Sequence, residues 1–101
     1  MKFIANKPKE NVLHLARKLG YRPISSSEGE LSCVRPLAGR DYPRFHLFLK
    51  EDREKKELSF SLHLDQKKPS YSGSPAHSGE YGGELVERET ERIKKIIEGL
   101  K

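Results

Sequence analysis

The chain is 101 residues long, 34% apolar and 35% charged, with a formal charge of +5 and a single cysteine, Cys33. That allows one domain, spanning 1–101, with a thin core; it excludes an intramolecular disulfide, a multi-cysteine zinc motif and a membrane-spanning run of about 20 apolar residues. Lys2, Lys7, Lys9 and Glu10 leave no room for a secretory leader, so the expected location is cytoplasmic, with no membrane partner.

Met1–Ala5 is a short apolar start, read either as an edge strand or as a lid on the core. Asn6-Lys7-Pro8 reads as a helix start, with Asn6 or Lys7 at the cap and Pro8 where its missing N–H is harmless. Val12, Leu15, Ala16 and Leu19 recur at helical spacing and Gly20 supplies the stop, which predicts a helix over 8–19. Tyr21–Ile24 is a short extended piece before a turn at Ser25–Glu30. Leu31–Arg35 is a strand ended by Pro36. Pro43–Lys50 and Leu58–Leu64 both alternate, with Phe45, Leu47 and Leu49 matched by Leu58, Phe60, Leu62 and Leu64. Joined by the charged segment Glu51–Glu57, they predict a β-hairpin. Gly83–Leu100 is a second helix, with Val86, Thr90, Ile93, Ile97 and Leu100 on one stripe.

Each helix has one apolar stripe and each strand one apolar face. The expected fold is therefore α+β in two layers, an antiparallel sheet of three to four strands with two helices on one face, in the order α-β-β-β-α. Between the hairpin and the last helix lies a Gly/Ser/Pro-rich loop, 65–83. Loops of this length in so small a domain are usually functional or disordered. The stretch His63–Tyr81 holds two of the four histidines, two of the four tyrosines, Asp65 and Glu80.

If the helices cover one sheet face, the other is open. One hairpin register sets His46 opposite His63 and Arg44 opposite Asp65; the other considered sets His46 opposite Ser61. Pairing across the Pro36–Pro43 turn is expected to bring Cys33 beside His46. Cys33, Arg35, Arg44, His46, Phe48, Lys50, Ser59, Ser61, His63 and Asp65 would then share one surface.

This surface admits a bland reading, a solvated sheet face, and several functional ones. The leading functional expectation is binding, not catalysis, with RNA or DNA as the partner. Arg35, Arg44 and Lys50 would meet phosphates, Lys67 and Lys68 would add charge, Phe48, Tyr71 and Tyr81 would stack on bases, and His46 belongs to the same binding set. Residues 1–50 carry ten Lys/Arg against four Asp/Glu, while residues 51–101 carry ten against eleven. That reading needs no cofactor. The alternative is a zinc-dependent, hydrolase-like site built from His46, His63, Asp65, His77 and Glu80, since imidazoles and carboxylates are zinc ligands. Further alternatives are a protein-interaction patch of Phe48, Tyr71 and Tyr81, and a Cys33–His46 nucleophilic dyad.

Overall fold

The computed structural model describes residues 1–66, 79–80 and 83–100, of which Gly79 and Glu80 are described by their backbone alone. Among these residues, six strands and two helices follow in the order β1 (Lys2–Asn6), α1 (Val12–Lys18), β2 (Arg22–Ser27), β3 (Glu30–Pro36), β4 (Arg44–Asp52), β5 (Glu57–Asp65), β6 (Gly79–Glu80) and α2 (Glu84–Gly99). The fold is α+β with an antiparallel sheet, as expected. The sheet runs β1-β5-β4-β3-β2, with the two-residue β6 also pairing β5.

The strand number and order are corrected at two places. The apolar start is a full partner of β5, with Phe3 opposite Phe60, so a strand precedes the first helix. The segment expected as a serine turn is the second half of β2, and the turn shrinks to Glu28 and Gly29, at φ 51° and 79°. Two successive positive-φ residues make the tight turn whose twist suits a two-residue hairpin. Serine is a poor strand former, yet Ser25–Ser27 pair with Glu30–Ser32 on the sheet edge.

Helix α1 also starts later than expected. Asn6 belongs to β1, and the Lys7 N–H donates to the Lys56 carbonyl at 2.9 Å, so the chain there is still tied to the sheet. Asn11 takes the cap instead, its Oδ1 accepting the His14 N–H at 2.8 Å. The helix ends as its sequence indicates. Gly20 has φ +91°, and the N–H groups of Gly20 and Tyr21 donate to the carbonyls of Arg17 and Ala16. That pair of bonds is the Schellman arrangement. Thus α1 carries the chain from one sheet edge, β1, to the other, β2.

Leu15, Ala16 and Leu19 from the first helical segment and Val86, Ile93 and Ile97 from α2 form one core cluster with the inward residues of the sheet. Both helices therefore cover the same sheet face. No helix among the described residues is long and apolar enough to cross a membrane.

Candidate functional site

The face away from the helices is organised by the hairpin register. His46 lies opposite His63, Arg44 opposite Asp65 and Phe48 opposite Ser61, the first of the two expected registers. On the other side of β4, Val34 pairs with His46 and Ser32 with Phe48. The placement expected for Cys33 and Arg35 is overturned by this register. Cys33 lies opposite Leu47 and Arg35 opposite Phe45, on the helix side.

Cys33 is fully buried, its thiol donates to the Leu47 carbonyl at 3.4 Å, and burial pushes its pKa up to about 12. A thiol so far from its thiolate is no nucleophile, which removes the Cys33–His46 dyad. Arg35 pairs with the buried Glu89 of α2 at 3.3 Å, so its guanidinium serves the fold. Of the remaining nucleic-acid candidates, Arg44, His46, Phe48 and Lys50 share the outer face. Lys67, Lys68, Tyr71 and Tyr81 lie outside the described residues, as does His77 of the metal set. The backbone of Glu80 is described, opposite Leu64, and Gly79 pairs with Asp65.

Around Asp65 the outer face is closely knit. Asp65 Oδ1 is 2.9 Å from His63 Nε2, and Asp65 Oδ2 is 3.1 Å from His46 Nδ1. Arg44 Nε donates to the same Oδ2 at 3.3 Å. Ser32 Oγ lies 2.6 Å from His46 Nε2. A carboxylate only accepts, so His46 Nδ1 carries the proton and His46 Nε2 accepts the Ser32 hydroxyl. The same logic puts a proton on His63 Nε2.

Ring contacts complete the unit, His46 stacking on Phe48 and tilted against His63. The His46 ring lies 4.4 Å from Phe48 and 4.8 Å from His63, centroid to centroid. Ser32, Val34, His63 and Asp65 are all buried, whereas Lys50 and Ser59 further along the same strands are exposed. The outer face is therefore divided: a covered polar cluster at one end and an open half at the other. Burial lowers the pKa of His46 first of all; Asp65 pulls it back up, while His63 and Arg44 push it down. The neutral imidazole is thus its working form.

One ligand atom each from His46, His63 and Asp65 lies within 4.8 Å of the others. Three of the five residues expected as metal ligands converge, and they do so by strand register alone. Ser32 was missed. Its signal was present, because Leu31 is a core residue and alternation turns Ser32 outward and Cys33 inward. Comparison with protein-family models, curated proteins and solved structures finds no match.

Proposed function

We propose that this domain is a metal-binding, hydrolase-like module whose centre is His46, His63 and Asp65. The observation that carries this reading is the convergence of two imidazoles and one carboxylate within 4.8 Å, with His63 and Asp65 buried and His46 half-buried. Three protein ligands with a fourth position open is the pattern of catalytic zinc sites. A zinc ion so held would lower the pKa of a bound water toward neutrality.

The chain's own groups divide the remaining work. With Nδ1 of His46 given to the metal, its proton moves to Nε2 and donates to Ser32, fixing the ring as outer-shell partners do. Arg44 keeps Asp65 in place and offers a cation beside an anionic ligand. The test is calorimetric titration of metal-stripped protein with zinc. One site per chain is expected, weakened at least about 100-fold in His63→Ala, beyond the usual loss of an outer-shell partner. Equal heats from wild type and His63→Ala sink the reading.

The chain Ser32–His46–Asp65 favours a second reading. A hydroxyl, a base accepting from it at 2.6 Å and an acid orienting that base are the parts of a serine nucleophile. A fluorophosphonate probe in the presence of chelator separates the two: adduct on Ser32 supports the nucleophile, and an unlabelled Ser32 removes it.

A further inference from the structure

Beside the cluster, on the open half of the same face, lies a groove of about 600 Å³ whose lining includes Lys2, Ile4, Phe48, Lys50, Ser59 and Ser61. Register shows how it meets the cluster. Lys2, Ser61 and Phe48 form one cross-strand row, and Ile4, Ser59 and Lys50 the next. The row of His63 and His46 is the neighbour on the other side, two residues along the strands, or about 7 Å. Phe48 belongs to both sites, since its ring stacks on His46 and also lines the groove.

The groove's chemistry is that of a ring flanked by cations. Lys7, Arg35, Arg44 and Arg92 are each in an ion pair, whereas Lys2 and Lys50 are in none among the described residues. Glu30 also lines the groove, opposite Lys50, so two ammonium groups stand against one carboxylate. Ile4 is 65% exposed, an apolar surface left to solvent in the groove. Unspent positive charge, a flat ring and small hydroxyls together are what single-stranded nucleic-acid grooves use: the ring takes a base and the cations follow the backbone.

We propose that the groove binds single-stranded nucleic acid, with a base against Phe48 and neighbouring phosphates at Lys2 and Lys50. Its consequence, that the strand is the substrate presented to His46 and His63, rests on the metal-centre reading. The binding itself does not.

The test is fluorescence anisotropy of a short labelled RNA, and of the same sequence as DNA, at low salt in EDTA. Saturable binding is expected, weaker for the duplex form and at least fivefold weaker in Phe48→Ala, about the loss of one base stack. Phe48→Leu, which keeps the apolar filling, guards against a folding artefact and shows the same loss. In Lys2→Gln/Lys50→Gln the slope of log affinity against log salt becomes shallower by about 1.4, as two phosphate contacts on a single strand require. Lys95→Gln, an exposed position of α2 on the helix side of the sheet, binds like wild type. No binding at low salt, a slope unmoved by the double variant, or equal affinity for a mononucleotide overturns the proposal. Because metal is excluded, that failure leaves the zinc titration standing, and a chain that binds oligomer but no zinc fails the other way.

Discussion

The imidazole of His46 is surrounded by groups that act on its charge in opposite directions. Burial, His63 and Arg44 disfavour the cation, Asp65 favours it, and the folded pKa ends below the ordinary value. The unfolded chain, with an ordinary histidine near 6.5, binds the proton more readily than the folded one. The stability that follows is complete above about pH 6.5 and is lost as pH falls through that value toward the lower folded pKa. In chelator, the melting temperature is expected to drop as pH falls from about 7 to about 5.5. His46→Gln, whose amide can still donate and accept but does not titrate, should flatten that limb. Identical slopes in the two proteins would mean that His46 is not the linked group. The neighbouring misplacement of Cys33 has a simple cause. Its position beside His46 came from assuming a turn geometry across Pro36–Pro43, whereas burial of Leu31 already set the parity of β3. Where the period-two signal and a guessed turn conflict, the apolar residue decides, because a one-residue slip would turn Leu31 out.

At the scale of elements, α2 shows what a helical stripe leaves out. Val86, Thr90, Ile93 and Ile97 are buried as the spacing indicates, but so is Glu89, only 4% exposed. Its carboxylate accepts from Tyr21 Oη at 2.5 Å and from Arg92 Nε and Nη2 at 2.8 and 2.7 Å, with Arg35 Nη1 at 3.3 Å. Arg92 also donates to the Leu19 carbonyl at the end of α1, so one buried charge fastens α2 to α1 and β3. Nothing in the local sequence separates Glu89 from the solvated Glu91, because the partner Tyr21 is 68 residues away. Glu89→Ala strands a buried tyrosine hydroxyl and two guanidiniums. The expected loss is about 3 kcal/mol in urea unfolding, at the low end for a broken buried pair because both arginines keep about a third of their surface in water. The exposed pair Glu84–Arg88 is the internal comparison, and Glu84→Ala should cost less than about 0.5 kcal/mol. Similar losses at both sites would show that the Glu89 network is ornamental.

For the whole molecule, the legible part was what period and parity carry: the central hairpin, its register down to two choices of the same parity, the two helical stripes and their common side. The edges were legible only in part: the strand character of Met1–Ala5 shows locally but its partner β5 is far along the chain, and the second half of β2 lies in a serine run before a two-residue turn. Yet β1 closes the sheet. The Leu62 N–H donates to the Met1 carbonyl at 2.8 Å, Phe3 stacks on Phe60 with centroids 4.5 Å apart, and Lys94 of α2 sits 5.2 Å from the Phe3 ring centre. β5 is the strand that bears His63 and Asp65; β1 flanks its Glu57–Ser61 stretch and β6 its last two residues, so without β1 most of that edge is bare. Bare edges pair with other chains. Deleting residues 1–6 should therefore do two things: lower stability by roughly 2 kcal/mol or more, about half the cost of truncating a fully buried Phe, and promote self-association visible by size exclusion. Phe3→Ala separates these effects, losing the ring but keeping the strand, so it should be less stable and still monomeric. If the deletion variant stays monomeric with an unchanged melting temperature, β5 does not need β1, and the His63–Asp65 side of the site is held by β4 and β6.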